Sequence, residues 1–121
     1  MVKTKLKPIL SSLREKKRYV VFEVISKEKI ADAGQVSNAL QQNLLQCVGE
    51  FGAANAGMIV LNNKWNSNLQ RGIIKVSHKH VDALKASFIF AEKISNTDVI
   101  CRSLGVSGIL KKAESNYLNA A

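Results

Sequence analysis

The sequence has little of what secreted or membrane-spanning proteins depend on. Its 121 residues include only two cysteines and one proline, and no apolar run approaches the roughly 18 residues that a membrane span needs. The first residues also lack a hydrophobic signal core followed by a small-residue cleavage site. We therefore expect a cytoplasmic protein without a membrane contact, in which Cys47 and Cys101 stay free thiols and act as small hydrophobic residues.

Acidic residues are also scarce. Nine Asp and Glu stand against 18 Lys and Arg, which gives a net charge of +9 and favours phosphate-rich partners such as nucleic acid or an anionic membrane surface. Residues 1–18 hold seven of the cations and one acid, Glu15, and so contribute +6 of the +9. The acids are spread singly among basic neighbours, whereas a metal-dependent nuclease needs clustered carboxylates. The sequence thus predicts no catalytic residue, no metal ligand and no cofactor bound by the chain.

The length and the 46% hydrophobic content fit one compact domain. Residues 18–26 have the pattern of a strand that is apolar on both faces. Asp32 with Gln35 predicts the start of a helix that ends before Gly49, and a polar loop at 62–68 joins two further strands into a hairpin. The predicted order is strand 18–26, helix 32–48, strand 55–61, strand 69–77, helix 78–94 and strand 99–104, followed by a last helix at 109–118.

This order of strands and helices is that of ferredoxin-like and RNA-recognition-motif folds. We therefore predict an α+β sandwich with a four-stranded antiparallel sheet of βαββαβ order, two helices on one face and additional N- and C-terminal segments. The predicted parts are a basic N-terminal segment at 1–17, the βαββαβ core at 18–106 and a C-terminal helix at 107–121. Because the strands are apolar on both faces, the terminal segments or a partner protein should cover the far face.

An RNA-recognition motif stacks bases on aromatic residues of its central strands. The third strand here begins with Arg71 and Gly72 as such a motif does, but the positions that would stack on bases are aliphatic. Base stacking on this sheet is therefore disfavoured.

Two stretches of the chain, residues 13–26 and 99–112, resemble archaeal ribonuclease P protein component 2, the counterpart of a eukaryotic subunit shared by ribonuclease P and its ribosomal-RNA-processing relative. The similarity extends over nearly the whole chain, and its most specific part is Leu-Gly-Val-Ser-Gly at 104–108. One departure is at 7–14, where Lys-Pro-Ile-Leu-Ser-Ser-Leu-Arg replaces the Pro-Pro-Thr-Leu-Arg that is common in the family.

The resemblance implies a non-catalytic protein subunit of an RNA enzyme that removes the 5′ leader from precursor tRNA. Magnesium ions held by the RNA would perform the hydrolysis, so magnesium is required by the RNA enzyme rather than bound by this chain. The implied partners are ribonuclease P RNA, ribonuclease P protein component 3, other ribonuclease P protein subunits and, indirectly, precursor tRNA. Together with component 3, the chain would support the catalytic part of the RNA.

The RNA-binding residues that we predict fall in two segments. A run of cations precedes the first strand, and a glycine turn with a lysine pair leads into the last helix, where free N–H groups and the helix dipole favour an anion. The two segments meet if the first and last strands are neighbours, and otherwise lie at opposite edges. The turn also fits a simple chain reversal, and the lysine pair an ordinary solvated face. The predicted residues are Arg14, Lys16, Lys17, Arg18, Gly105, Ser107, Gly108, Lys111 and Lys112.

Other polar and aromatic residues are open to two interpretations. Trp65 could stack on a base or a partner, or fold back onto the domain; Arg71 and Lys75 are further candidates for an RNA or partner contact. His78 and His80 have no Cys or carboxylate at ligand spacing, so helix entry or a phosphate contact is favoured over metal binding. Ser107 lacks the surroundings of a nucleophile, which favours helix capping.

Two rival functions stay open on the sequence. The first is a ferredoxin-like regulatory domain in which the glycine turn holds the carboxylate or phosphate of a small effector, although the basic N-terminal segment fits this poorly. The second is a protein-only assembly adaptor, which explains the apolar far face but not the charge.

Overall fold

The computed structural model describes residues 16–119. Along the chain, five strands alternate with three helices in this described part, and short 3-10 turns at Asn62–Lys64 and His78–His80 lie between them. The elements are β1 (Lys17–Ser26), α1 (Ala33–Ala56), β2 (Ile59–Val60), β3 (Arg71–Ser77), α2 (Val81–Phe88), β4 (Lys93–Ile94), β5 (Thr97–Ser107) and α3 (Leu110–Ala113), which continues as a π-helical turn (Glu114–Leu118).

All strands belong to one antiparallel sheet with the order β2-β3-β1-β5-β4. The α+β class is confirmed, but the predicted number of four strands is wrong because the described sheet has five. The predicted helix 78–94 ends at Phe88, and β4 follows it. Ser95 and Asn96, with φ of 52° and 64°, form the two-residue turn that joins β4 to β5, since both central residues of a type I′ turn need a positive φ.

The main core lies between the sheet and helices α1 and α2. Alternation along β1 directs Val20, Phe22 and Val24 to this side, where all three are buried. Their partners from the other strands and the two helices include Ile74, Val76, Val99, Cys101, Leu40, Leu44, Leu84 and Phe88. Burial of these apolar groups is the main force that holds the helices on the sheet.

Part of the far face of the sheet is covered by α3. Val21 and Ile73 are fully buried there against Ala113 and Leu118. Tyr117 packs at the border of this second cluster. A terminal segment, one of the two coverings that the apolar strand faces predicted, therefore covers this part of the far face.

Helix α1 begins where Asp32 predicted and contains a sharp break. Asp32 Oδ1 accepts a hydrogen bond of 2.8 Å from the backbone N–H of Gly34, which satisfies one of the free donors of the first turn. Gly49, with φ 75° and ψ 178°, interrupts the helix, which then continues to Ala56 and ends at Gly57 in the left-handed region. The predicted strand at 55–61 is consequently reduced to Ile59–Val60.

The two cysteines are free thiols in different surroundings. Cys101 is buried, and burial raises the pKa of its thiol to about 12. The helical spacing of Cys47 with the apolar residues of α1 predicts that it acts as a small hydrophobic residue, but its side chain is exposed. None of the helices described between residues 16 and 119 has the length and apolar content to cross a membrane.

Candidate nucleic-acid interface

The two predicted RNA-binding segments meet at one end of the sheet. Strands β1 and β5 are neighbours, and their register sets Tyr19 opposite Ser107. The guanidinium of Arg18 consequently lies beside Gly108, where a Cβ atom would be 3.7 Å from Nη1 of Arg18. The sequence left the strand order open, and the structure shows the arrangement in which the basic start of β1 and the glycine turn are adjacent.

The 3-10 turn after β3 joins the same end. The Lys16 carbonyl accepts the backbone N–H of His78 at 2.8 Å, and Nδ1 of the same histidine lies 3.0 Å from that oxygen. This contact holds Lys79 next to the start of β1. Lys17, the first residue of β1, directs its ammonium group to the C-terminal end of α1, where Nζ lies 3.1 Å from the position of a Cβ on Gly57. The helix dipole favours a cation there.

We call this surface the basic end. Its cations come from the start of β1, the turn after β3 and the first turn of α3, and their side chains are exposed except for that of Arg18, which is half-buried. It comprises Lys16, Lys17, Arg18, His78, Lys79, Gly108, Lys111 and Lys112. Arg14, which was predicted with this group, lies outside the described residues.

The glycine turn is built differently from the prediction. Strand β5 runs to Ser107, so Gly105 lies inside the strand and does not break it. A side chain at Gly105 would overlap the ring of Tyr117, so this glycine permits the close packing of α3. Ser107 Oγ accepts the N–H of Ile109 at 3.1 Å and donates to its carbonyl at 3.0 Å, which shapes the turn before Leu110.

Trp65 folds back onto the domain. Its Nε1–H donates to the carbonyl of Ile30 at 3.1 Å, and its ring stacks on Phe22 with centroids 6.0 Å apart. Gly72 makes room for both rings, since a Cβ there would lie 2.6 Å from Phe22 Cζ. These contacts account for Trp65 without an RNA base, and its contact with RNA or a partner stays a prediction.

Arg71 and Arg102 flank Glu23 across three adjacent strands. Arg71 Nε lies 3.0 Å and Arg102 Nη2 2.7 Å from the Glu23 carboxylate. Burial tends to raise the pKa of Glu23, but the hydrogen bonds and positive charges of the two arginines outweigh it and hold that pKa below its usual value. Arg71 Nη1 also donates to the Tyr117 carbonyl at 3.0 Å, which attaches the end of α3 to the sheet.

Lys75 is half-buried on the far face, where its register partners are Tyr19 and Ile59. The interactions of Arg71 with Glu23 and the Tyr117 carbonyl give it a structural role, and contacts of Arg71 and Lys75 with RNA or a partner stay a prediction.

The sequence reasoning did not assign Lys79 to the RNA-binding surface, although His78-Lys-His80 stood out as a motif. The signal that could have placed it is the position of the motif directly after a strand that pairs with β1.

Within residues 16–119, no group of three or more His, Cys, Asp or Glu side chains is arranged to hold a metal ion. The basic end suits contacts with phosphate, because cations from three elements collect there. Glu114, which follows α3, does not offset them, since its carboxylate is bound to Lys64 at 2.6 Å.

Known proteins are similar to this chain in sequence and in fold. Ribonuclease P protein component 2 of Thermococcus kodakarensis is 32% identical over 117 residues, which cover 97% of this chain and 95% of that protein. The protein of the same name from Methanocaldococcus jannaschii is 32% identical over 115 residues, covering 93% and 81%. A chain in the cryo-EM structure of yeast ribonuclease MRP has a TM-score of 0.59 over 78% of this chain and 76% of its own length, and at 14% identity it shows the fold alone. A model of the Rpp14/Pop5 family matches residues 18–118, and the chain belongs to that family.

Proposed function

We propose that this chain is the component 2 protein subunit of ribonuclease P, the RNA-based endoribonuclease that removes the 5′ leader of precursor tRNA. In this proposal the basic end contacts phosphates of ribonuclease P RNA, and the chain supports the catalytic part of that RNA together with protein component 3. Other ribonuclease P proteins are partners in the same particle, which acts in the cytoplasm, and precursor tRNA is contacted indirectly.

The observation that carries the proposal is the proximity of Arg18 to Gly108. It brings the cations at the start of β1 together with those of α3 on one surface, in a chain that belongs to the Rpp14/Pop5 family. Adjacent cations on a folded surface can bind several phosphates of one RNA at once, and each contact releases counterions. None of the described residues that make up the basic end is Phe, Tyr or Trp, so this surface offers no aromatic ring of these types on which a base could stack. We therefore expect it to bind the RNA backbone rather than to select bases.

The chain is further proposed to supply no catalytic group and no metal ligand. The acids with described roles act in structure: Glu23 binds two arginines, Glu114 binds Lys64 and Asp32 caps α1. Magnesium would be held by the RNA, and no cofactor would be bound by this protein.

The rival effector-binding function is weakened by the geometry of the glycine turn. The ring of Tyr117 fills the space beside Gly105. Ser107 Oγ already makes hydrogen bonds with both the N–H and the carbonyl of Ile109. An effector carboxylate would have to displace these contacts. The adaptor function also loses part of its support, because α3 covers part of the far face.

The test is reconstitution of precursor-tRNA cleavage from ribonuclease P RNA, component 3 and this chain. We expect the chain to raise the cleavage rate, and single replacement of His78, His80, Asp82 or Asp98 by Ala to leave the pH profile and the magnesium requirement unchanged, because none of them takes part in the chemical step. Assembly is checked by the mass of the particle for each variant. A variant that assembles fully but loses the chemical step would show that this chain contributes a catalytic group.

A further inference from the structure

We propose that the outer edge of β5, from Ile100 to Ser103, is a docking strand for an extended segment of another protein. The proposal rests on the proposed function only for the choice of protein component 3 as the binding partner in the test. The edge lies at the end of the sheet opposite to the basic end, so one molecule would bind RNA and protein at separate sites.

The backbone geometry identifies which groups are open. On its inner side β5 pairs with β1 along most of its length, whereas on its outer side β4 pairs only with Thr97 and Asp98. The N–H of Val99 points outward, since it donates to the Glu92 carbonyl at 2.9 Å. Because successive residues of a strand direct their polar groups to opposite sides, the next outward N–H and C=O groups are those of Cys101 and Ser103. No strand within residues 16–119 pairs with them.

The length of this edge suits a short added strand. The register between β1 and β5 shifts after Val21, which pairs with Gly105 while Phe22 pairs with Ser103. Leu104 is thus the extra residue of a β-bulge, which twists the strand locally and leaves Leu104 itself without a register partner on β1. Four residues, Ile100 to Ser103, lie between the contact of Val99 with Glu92 and this bulge, and this length is within the usual range for a strand. The edge contains no proline or lysine, residues with which proteins commonly block such positions, and its one charged side chain, Arg102, is paired with Glu23.

Apolar groups flank the edge on both faces of the sheet. On the far face Ile100 is 65% exposed, and its register partner Ile25 is 45% exposed. On the helix face a groove beside the strand is lined by Phe88, Ile89 and Cys101, and Ile89 is 80% exposed. An added strand would therefore bury apolar side chains on both of its faces, which is how main-chain pairing gains specificity.

The charges near the edge are of both signs, which favours protein over RNA. The acids Glu92 and Asp98 line the groove, Lys93 Nζ lies 4.0 Å from Asp98 Oδ1, and Lys27 and Lys29 follow β1 at the same end of the sheet. This mixture differs from the basic end, where cations predominate. Arg102 pairs with Glu23, yet its side chain is 58% exposed. The segment that fits is extended, with an apolar residue beside Ile100 and a carboxylate beside Arg102.

Amide hydrogen exchange on the full chain, followed by NMR with and without protein component 3, tests this assignment. In the free chain the amides of Cys101 and Ser103 should exchange at least about tenfold faster than those of Ile100 and Arg102, which bond to β1. Component 3 should protect both outward amides.

Two substitutions probe the edge by different means. Ser103→Pro removes an outward N–H without touching the bonds to β1, and Ile100→Lys places a charge beside the added strand; each should weaken binding of component 3 by about tenfold or more. Ile100→Lys keeps the test decisive if Ser103→Pro fails to fold. The matched control is Ile59→Lys, at an exposed isoleucine of the opposite sheet edge, which should leave the affinity unchanged.

The possible failures can be told apart. If component 3 binds, as shown by the mass of the mixture, while Cys101 and Ser103 stay unprotected, the edge assignment is wrong and the pairing stands. If component 3 does not bind at all, the pairing in the proposed function is wrong and this proposal falls with it. If ribonuclease P RNA protects these amides, or if they become protected in the chain alone at rising concentration, the edge binds RNA or a second copy of the chain. Either result would overturn the proposal that another protein docks there.

Discussion

Glu23 forms ion pairs with two arginines on the far face of the sheet. Its carboxylate binds Arg71 and Arg102 from the two neighbouring strands, and Arg71 in turn binds the Tyr117 carbonyl of the C-terminal segment. Alternation along the first strand places Glu23 on the face opposite to Val20, Phe22 and Val24. It does not show the partners of Glu23, because the pairing depends on the register between strands that are distant in the chain.

Replacement of Glu23 by Gln should make the folded state less sensitive to acid. The pKa of Glu23 is lowered on folding, so its charged form stabilises the protein above the unfolded-state pKa of about 4.3, and this stabilisation is lost as the pH falls through the lower folded-state pKa. At pH 7 we expect Glu23→Gln to lower the free energy of unfolding by about 1–3 kcal/mol, since it leaves partly buried arginines with a neutral partner.

Urea unfolding of both proteins from pH 7 to about pH 3, a range that spans carboxylate titration, measures this effect. The difference between wild type and Glu23→Gln should shrink as the pH falls. Glu28→Gln, at an exposed glutamate, is the control and should change little. A difference that stays constant over this pH range would show that the charge of Glu23 does not stabilise the fold.

At the scale of whole elements, α1 shows how one glycine shapes a helix. The sequence correctly predicted the Asp32 cap, but the predicted end of the helix before Gly49 is wrong: Gly49 interrupts the helix, which then resumes and runs to Ala56. Periodicity could not show that the helix resumes. The same applies to β4, whose turn has Ser95 and Asn96 in place of the Asn-Gly pair that usually signals a two-residue hairpin. These short elements depend on tertiary contacts more than on local sequence.

Gly49→Ala should destabilise the protein through backbone strain alone. Gly49 has φ 75° and ψ 178°, a region open almost only to glycine, and no atom lies within 4 Å of a Cβ placed there. We therefore expect a loss of about 1–3 kcal/mol in the free energy of unfolding. Gly57→Asn is the matched control, because asparagine tolerates the left-handed conformation at the end of a helix, and it should cost less. Equal stability of Gly49→Ala and wild type in urea unfolding would contradict the described kink.

At the scale of the whole molecule, the two ends of the sheet have different surfaces. One end collects cations from β1, the turn after β3 and α3, and the other exposes apolar side chains beside an open strand edge. Composition alone predicts phosphate-rich partners, which stays a prediction, and the order of elements correctly predicted the α+β class. Neither could show that Arg18 meets Gly108, because this contact follows from strand order.

The distribution of the remaining charges offers a matched comparison for the basic end. Lys27, Lys29 and Lys93 lie near the opposite end of the sheet, after β1 and at β4. Their removal changes the net charge by the same amount as removal of Lys16, Lys17 and Arg18. A general effect of charge would therefore weaken RNA binding equally in both triple variants.

The most direct test of the account is the affinity for ribonuclease P RNA across a salt series. For wild type, the logarithm of the affinity should fall with the logarithm of salt concentration by about 0.7 to 0.9 per phosphate contact. Replacement of Lys16, Lys17 and Arg18 by Ala should flatten that slope by about three contacts, and Lys111→Ala with Lys112→Ala by about two. The control without Lys27, Lys29 and Lys93 should keep the wild-type slope. Wild-type slopes in both basic-end variants, with the fold intact by circular dichroism, would show that these cations form only a solvated surface.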